Sequence, residues 1–256
     1  MITQEQIHEL AKKKRIDGAT ILREYLQILF LKELYARKES QKIYFKGGTL
    51  IHLVLYGTRF SMDLDFTSEL SSEIIKGVLN RILKILTLEV PGVSIKPSRK
   101  KIHHSFSVIF TYLPDDQNVP LNISLDYSLR EKPIKKPITT IVKTDFPIVG
   151  LPIILHLDWE EILAEKIRAI FTRGKGRDLY DLYFLRYKNI PIDWKMVNEK
   201  MKFYSNLRLK VDEAYLIKVI ESFNELKLRM DLAQFLPKPE REKLLPILKT
   251  ELLKII

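Results

Sequence analysis

Two spacings of apolar residues alternate along the first half of the chain. Apolar residues three and four positions apart predict helices over residues 21–36 and 71–88. Strict alternation of apolar and polar residues predicts half-buried strands over residues 59–66 and 121–127, and the stretch 93–113 is also mostly β-like. Helices and strands are therefore interleaved in this half.

Shorter signals fill the gaps between these elements. A short strand is predicted for residues 43–45 and leads into Gly47 and Gly48. One or two helical turns are predicted for residues 49–56 and end at Gly57. A turn or loop is predicted for residues 114–120.

The second half carries a different pattern. Residues 131–152 contain four prolines and predict a connector with short edge strands. Beyond Asp158 the signals are helical to the end, with breaks at 174–176, 189–191 and 237–239. We therefore predict an α+β protein: an α/β domain with N-terminal helices over residues 1–150 and a helical domain over residues 151–256.

Composition narrows the chemistry. An apolar fraction of 46% allows a sizeable core, and the absence of cysteine excludes disulfides, thiolate metal sites and thiol nucleophiles. The polar beginning of the chain and the lack of long apolar runs predict a cytoplasmic protein without a membrane partner. The net charge of +11 favours a polyanionic partner, although such charge also serves solubility.

Acidic residues on two predicted strands form a candidate metal site. Asp63 and Asp65 are two positions apart, so a strand would place both carboxylates on one face. Asp126 lies on the polar side of a second strand and would join them if the strands are neighbours. Three such carboxylates suit Mg²⁺ and phosphoryl or nucleotidyl transfer. The alternative is that these acids are ordinary solvated residues of an exposed sheet face.

The turn formed by Lys46, Gly47, Gly48 and Thr49 is a candidate phosphate cradle. Glycines allow backbone N–H groups to approach a phosphate, and a helix N-terminus favours negative charge. The competing interpretation is a turn that needs glycine only for its backbone conformation.

A basic site is predicted on the helix that follows Asp158. Asp158 and Glu161 resemble a capping box, and Lys166 falls within the apolar stripe of the helix. A lysine in that position extends to solvent, meets an anion such as a triphosphate, or pairs with a nearby acid.

Three charged residues that could interact with this basic site follow the helix in the sequence. Asp178 is placed to orient Lys166 or Arg173, whereas Arg177 and Asp181 are spaced as an i,i+4 helix pair.

None of the five histidines has metal-ligand spacing with another histidine or acid on a helix. His103 and His104 are adjacent and would point to opposite faces of a strand. We interpret the histidines as structural or surface residues.

Three segments together resemble the AbiEii/AbiGii toxin family of nucleotidyltransferases, within the DNA polymerase β-like superfamily. They are the glycine motif of residues 45–50, the RxSxDLDF signature of residues 59–66, and the helical EK…R…RDxxDL motif of residues 165–182. The resemblance spans roughly residues 40 to 185, and the order and spacing of the segments are more specific than any one of them.

The resemblance implies a polymerase β-like sheet with flanking helices, a C-terminal helical domain that completes a nucleotide cleft, and a nucleoside triphosphate as substrate. It implies that Asp63 and Asp65 hold Mg²⁺ or Mn²⁺ and that Lys166 contacts the triphosphate with support from Asp178. The nucleotide-binding residues implied by the matched segments are Lys46, Gly47, Gly48, Thr49, Ser61 and Arg173. Asp126 is added as a metal ligand from its strand position alone.

One position departs from the superfamily pattern, which usually has Gly-Ser where this chain has Gly47-Gly48. The missing hydroxyl removes one phosphate contact, which Thr49 or Ser61 would have to replace.

Members of the family include toxins of type IV toxin–antitoxin systems, some of which modify tRNA. The resemblance therefore implies nucleotidyl transfer to an acceptor, with RNA, especially the tRNA 3′ end, as the preferred acceptor and an antitoxin as a partner. Two alternatives stay open: a non-catalytic RNA- or partner-binding protein that keeps the fold, and a metal-dependent nuclease.

Overall fold

Seven strands form one mixed sheet in the part of the chain that the structure describes. The structure is a computed structural model and describes residues 1–98, 104–114, 119–203 and 210–256. In the order in which they lie side by side, the strands are β3 (Val93–Pro97), β4 (Ser105–Tyr112), β5 (Leu121–Ser128), β2 (Leu64–Ser68), β1 (Ile43–Lys46), β7 (Ile153–His156) and β6 (Ile138–Ile141). β5 is parallel to β2 and β7 is parallel to β1, whereas the other neighbours are antiparallel.

Helices of the first half begin where the sequence supplies a cap. Side chains of Thr3, Asp17 and Ser71 accept hydrogen bonds from the first turns of three of them, which satisfies N–H groups that have no partner within a helix. The four helices are α1 (Gln4–Lys14), α2 (Gly18–Tyr35), α3 (Gly47–Leu55) and α4 (Ser72–Glu89).

The two faces of the central strands differ in polarity. The register places apolar residues of β1, β2, β5 and β4 in rows on one face, where Phe30 of α2 packs against Phe110 of β4 with ring centroids 5.8 Å apart. Polar residues of the same strands project from the opposite face because side chains alternate along a strand. The apolar rows are Leu64, Leu125 and Val108, followed by Phe45, Phe66, Tyr127 and Phe106.

The described chain after β7 is helical. Its helices are α5 (Trp159–Arg173), α6 (Gly176–Tyr187), α7 (Trp194–Lys202), α8 (Glu213–Ser222), α9 (Glu225–Ala233), α10 (Lys238–Lys243) and α11 (Leu248–Leu253).

Contacts within the chain define two compact units. The second unit consists of Leu157–Ile256 together with Gly57–Arg59 and Ile134–Lys136, and the other residues belong to the first unit. Two short segments that precede Leu157 in the sequence are thus part of the second unit.

The sheet with flanking helices confirms the predicted α+β class. No helix of the described residues is long and apolar enough to cross a membrane.

The strand predicted for residues 59–66 is wrong in its bounds, since β2 begins at Leu64 and ends at Ser68. Side-chain hydrogen bonds replace strand pairing before Leu64. Arg59 is paired with a carboxylate of the second unit, and the carbonyl of Ser61 accepts a hydrogen bond from Gln27 Nε2 at 3.1 Å. Alternating polarity over residues 59–63 therefore did not reflect a strand.

Smaller differences occur at turns. α3 ends through Tyr56, which has a left-handed φ of 59°, and not through Gly57 as predicted. His104 lies outside β4 with a φ of 52°, so it does not take the predicted strand position. Residue 103 and residues 115–118 of the predicted loop lie outside the described residues. His52 and His156 have structural contacts, with Glu24 and Thr140 respectively.

Candidate active site

A row of polar side chains crosses the sheet on the face opposite the apolar rows. Asp65 of β2 is in register with Lys46 of β1 on one side and with Asp126 of β5 on the other, and Asp126 is in register with Ser107 of β4. Because directly opposed residues project from the same face, strand pairing brings the two carboxylates side by side. β2 and β5 are thus neighbours, which is the condition under which Asp126 was expected to lie beside Asp65.

Hydroxyl groups hold the Asp126 carboxylate in place. Ser107 donates to Asp126 Oδ1 at 2.5 Å, and Ser124 donates to Oδ2 at 2.9 Å. These two hydrogen bonds fix the orientation of the Asp126 carboxylate.

Gly47 lies directly against the Asp65 carboxylate. It has a φ of +84°, and a Cβ at this position would clash with Asp65 Oδ2. Both observations require glycine here. The sequence Lys46–Thr49 therefore brings the N-terminus of α3, which has no side-chain cap, next to an acidic side chain.

The Thr49 hydroxyl contacts the main chain just ahead of β2. It donates to the main-chain carbonyl of Asp63 at 2.5 Å, and the residue is 1% exposed. The hydroxyl hydrogen of Thr49 is thus donated to this carbonyl, and the expected contact of Thr49 with a phosphate stays a prediction. Asp63 precedes β2, and Thr49 fixes its main chain where no strand partner does.

Lys46 ends the polar row with a partner of its own. Its Nζ lies 4.0 Å from Oε1 of Glu131, and both side chains are buried. A buried lysine and a buried glutamate neutralise each other, so Lys46 and Glu131 form a paired charge beside the carboxylates.

Asp65 and Asp126 supply carboxylate oxygens, which are the ligands that a hard cation such as Mg²⁺ takes. Among the described residues, no three His, Asp or Glu side chains converge to hold a metal ion. The predicted cage of Asp63, Asp65 and Asp126 is therefore not assembled by the protein alone. Asp65 and Asp126 lie side by side, and Mg²⁺ is commonly bound by one or two carboxylates plus the phosphates of a substrate.

A second cluster of charges surrounds Asp181 in the second, mainly helical unit, called the helical unit below. Arg59 donates to both carboxylate oxygens of Asp181 at 2.8 and 2.9 Å, and Lys166 Nζ lies 2.6 Å from Oδ2. Asp181 is 1% exposed and Arg59 is 3% exposed. Lys166 thus has the acidic partner that was one of its predicted alternatives.

Asp178 is the second carboxylate of this cluster. Arg173 donates to both of its oxygens at 2.8 and 2.7 Å, and Lys166 Nζ lies 3.7 Å from Oδ1. Asp178 is fully buried, whereas the Arg173 side chain is half exposed. Together the five side chains of this basic cluster, Arg59, Lys166, Arg173, Asp178 and Asp181, carry one net positive charge.

Charge partners outweigh burial at Asp181. Burial raises the pKa of the Asp181 carboxyl, but Arg59 and Lys166 together lower it by more than burial raises it. The pKa of Asp181 therefore lies below its ordinary value. Asp181 is therefore a carboxylate at neutral pH, and it holds two cations in fixed positions.

The predicted pair of Arg177 and Asp181 is not formed. The guanidinium of Arg177 stacks over Phe235 at 5.4 Å from the ring centroid, and Asp181 is taken by Arg59 and Lys166. Helical spacing made Arg177 the nearest candidate, whereas Arg59 is 122 positions away in sequence. Asp181 and Arg59 both lie within the segments that carry the AbiEii resemblance, but the sequence analysis assigns neither of them to the site.

Glu161 does not close the predicted capping box. Asp158 accepts from Glu160 N at 2.9 Å, as a cap should. Glu161 instead accepts from the main-chain N–H groups of Ile134 and Lys135 at 3.0 and 3.1 Å, and its other oxygen lies 2.6 Å from Lys200 Nζ. Glu161 therefore attaches the 134–136 segment to the helical unit.

Comparison with protein families identifies the family to which the chain belongs. The sequence model of the AbiEii family, described as nucleotidyl transferase AbiEii toxin of type IV toxin–antitoxin systems, matches residues 29–249. This match covers both the polar row and the basic cluster. The chain belongs to the AbiEii family of nucleotidyl transferase toxins. It is accordingly a nucleotidyltransferase.

Solved structures with the same fold include two bacterial proteins. The nucleotidyltransferase toxin MenT4 from Mycobacterium tuberculosis aligns with a TM-score of 0.60 at 17% identity, over 100% of this chain and 91% of its own. JHP933 from Helicobacter pylori aligns with a TM-score of 0.54 at 20% identity, over 94% and 93% of the two chains. At these identities the likeness extends to the fold alone. No curated protein sequence matches the chain.

The three segments that carry the AbiEii resemblance have different structural roles. The glycine motif forms the end of β1 and the start of α3, beside Asp65. The signature of residues 59–66 is divided, since Arg59 binds Asp181 in the second unit and Asp65 belongs to the polar row. The helical motif supplies Lys166, Asp178 and Asp181 to the basic cluster.

Proposed function

We propose that this AbiEii-family protein transfers a nucleoside monophosphate from a nucleoside triphosphate to an RNA acceptor, the tRNA 3′ end being preferred, in a reaction that depends on Mg²⁺ or Mn²⁺. The observation that carries the proposal is the side-by-side pairing of Asp65 and Asp126 next to Gly47, where a Cβ would clash.

Asp65 and Asp126, with Asp63 just ahead of β2, are the residues that would hold the divalent cation. When bound, the cation would neutralise charge on the triphosphate and on the departing pyrophosphate and lower the pKa of the acceptor hydroxyl. In the transfer, the acceptor oxygen bonds to the α-phosphorus, the bond to pyrophosphate breaks, and the hydroxyl proton is released.

Protein groups around the cation would bind and orient the triphosphate. The main-chain N–H groups of Gly47 and Gly48 begin α3 without a side-chain cap, and a helix N-terminus favours a phosphate. Ser61 is proposed to add its hydroxyl. Lys46 is charge-paired with Glu131 and would contribute its main chain to this turn.

The basic cluster is proposed to contact phosphate through Arg173 and Lys166. It carries one net positive charge, and the half-exposed guanidinium of Arg173 is fixed by two hydrogen bonds to Asp178. Asp178 would act as a positioning residue for both cations.

An RNA acceptor agrees with the net charge of +11, because polyphosphate backbones bind cationic proteins through counterion release. Such a reaction would be cytoplasmic, and a type IV toxin would have an antitoxin as its partner.

The test is nucleotide transfer itself. Purified protein is incubated with Mg²⁺, total tRNA and each α-³²P-labelled nucleoside triphosphate in turn, and the products are separated on a denaturing gel beside the Asp63→Asn variant. We expect one nucleotide to label tRNA with the wild type and no label with the variant. Label that Asp63→Asn retains would contradict the proposal.

Two other results would select the alternatives. Shortened RNA without incorporated label would indicate a metal-dependent nuclease. RNA binding without any label in RNA or protein, unchanged in Asp63→Asn, would indicate a binding protein that keeps the fold.

A further inference from the structure

A cavity of about 380 Å³ lies between the first two helices and the start of β5, apart from the polar row. Its walls are mainly apolar, with Ile7 of α1, Leu22 of α2, and Pro120 and Leu121 at the start of β5. The volume is in the range of sites that hold small ligands, and it exceeds what one flat heterocyclic ring requires.

Two side chains give the cavity hydrogen-bonding capacity. Gln4 and Arg23 line it together with the apolar residues. The Arg23 Nε atom is buried and has no hydrogen-bond partner among the described residues. The guanidinium carries further N–H donors besides Nε, so an acceptor atom of a ligand placed against it would gain a charge-assisted hydrogen bond.

Helix α2 connects this cavity to residues 61–63, which lead into β2. Gln27, one helical turn after Arg23, donates to the carbonyl of Ser61, two residues before Asp63. The Asp63 carboxylate also acts electrostatically on Arg23. A ligand in the cavity would therefore lie beside the segment that leads into the polar row.

The charges around Arg23 favour a neutral ligand over a phosphate. Both Asp17 and Asp63 attract the guanidinium, and these two carboxylates would repel an anion that approached it. A ring with carbonyl or ring-nitrogen acceptors satisfies Arg23 without this repulsion, and apolar walls suit its faces. Nucleobases have this combination, and Arg commonly recognises their acceptor edges.

We propose that this cavity between α1, α2 and β5 binds an unpaired nucleobase of the RNA acceptor, close to the reacting end, through Arg23 and Gln4 at the edge and apolar side chains at the faces. The inference rests on the proposed function, since it assigns the acceptor of that reaction. Single-stranded ends are the parts of RNA whose bases are open to such readout.

Two variants test the site by different means. Ala19 is exposed at the cavity wall, so Ala19→Trp fills the space without disturbing the core, and Arg23→Gln removes the edge donors. Ala19→Ser keeps the space open as a control, and Lys12→Gln removes one exposed positive charge on α1 as a control for charge. The measurements are KM for a single-stranded oligoribonucleotide acceptor and KM for the nucleoside triphosphate.

We expect Ala19→Trp and Arg23→Gln to raise KM for RNA by about tenfold, with KM for the triphosphate and kcat within about twofold of wild type. A raised KM for the triphosphate instead would assign the cavity to the donor base and overturn the inference. Unchanged constants for both substrates in both variants would also overturn it.

A second readout does not depend on turnover. An oligoribonucleotide with 4-thiouridine near its 3′ end is crosslinked to the wild type, and the modified peptide is identified by mass spectrometry. Crosslinks within residues 4–23, lost in Ala19→Trp and kept in Ala19→Ser, support the site even if no RNA is labelled in the transfer assay. Crosslinks elsewhere, in a protein that does label RNA, would refute the cavity while the proposed function stands.

Discussion

The polar row of the sheet and the basic cluster of the helical unit are assembled by different kinds of contact. In the row, main-chain pairing of β2 and β5 brings Asp65 beside Asp126, and the hydroxyl groups of Ser107 and Ser124 orient the Asp126 carboxylate. In the cluster, side-chain ion pairs do the assembly, because Arg59 and Lys166 meet on Asp181 from distant positions in the sequence.

This difference predicts opposite consequences of substitution. The sheet places Asp65 beside Asp126 through main-chain pairing of β2 and β5, so the assembly of the row does not depend on the charge of Asp65. The cluster holds its charges in a buried place where each depends on its partners, so loss of one leaves the others uncompensated. The row should thus be sensitive in activity and the cluster in stability.

The largest expected effect is that of Asp65→Asn on transfer. Loss of one of two adjacent carboxylates removes cation binding worth several kcal/mol in the transition state, so we expect kcat/KM to fall at least about 10³-fold. The thermal midpoint should stay within about 2 °C of wild type, because main-chain pairing holds β2 beside β5 whatever the charge of residue 65. Nucleotide incorporation and a thermal melt measure the two quantities.

A melt lowered as far as in the cluster variant below would contradict the comparison, because it would show that the row also contributes to the fold. Asn122→Asp is a matched control on β5, since Asn122 is exposed and lies four residues before Asp126 on the same face.

Asp181→Asn should reverse this pattern. The amide keeps the shape of the carboxylate, but Arg59 loses its paired carboxylate and Lys166 keeps only the longer contact to Asp178, so the free energy of unfolding should fall by about 3–5 kcal/mol. Urea denaturation monitored by circular dichroism measures the loss. Asp178→Asn has a half-exposed partner in Arg173 and should cost less. Equal losses for the two variants would show that Asp181 is not the centre of the cluster.

The contrast also explains how much could be predicted from the sequence. Alternation along residues 121–127 predicts β5 and places Asp126 on its polar side, where it joins Asp65 because β2 and β5 are neighbours. The α+β class, α2, α4 and the glycine turn follow from local spacing and caps in the same way. These features depend on neighbours in sequence or on a repeating register.

Features that depend on distant side chains were missed. Helical spacing predicts that Asp181 pairs with Arg177, but its partner is Arg59. The same ion pair holds Arg59 outside the sheet, and β2 begins only at Leu64. Thr49 is another case, because its hydroxyl is used by the Asp63 carbonyl. A single sequence contains no signal for such pairs beyond the presence of these residues in the motifs.

Gly47→Ala should have an intermediate effect that belongs to the row. The added Cβ clashes with the Asp65 carboxylate and occupies a left-handed backbone conformation. We expect a stability loss of about 1–3 kcal/mol from strain and a larger loss of transfer activity, because Asp65 must move. Gly77→Ala is the matched control. Gly77 is inside α4, with only ordinary contact to Arg81, and alanine there should stabilise the helix by about 1 kcal/mol. Equal behaviour of the two variants would remove the argument for close approach at Gly47.

The smallest expected effect is the acid response of the cluster. Because the pKa of Asp181 in the folded protein lies below its ordinary value of 3.8, the unfolded chain binds more protons in this range. The stabilisation from Asp181 is therefore present above about pH 4 and is lost as pH falls through the lower, folded pKa. Free energies of unfolding measured between about pH 5 and pH 3 should fall less steeply in Asp181→Asn than in wild type, and added salt should leave this difference in place because the pairs are buried. Parallel slopes would show that the charges of Asp181 and its partners do not stabilise the folded state.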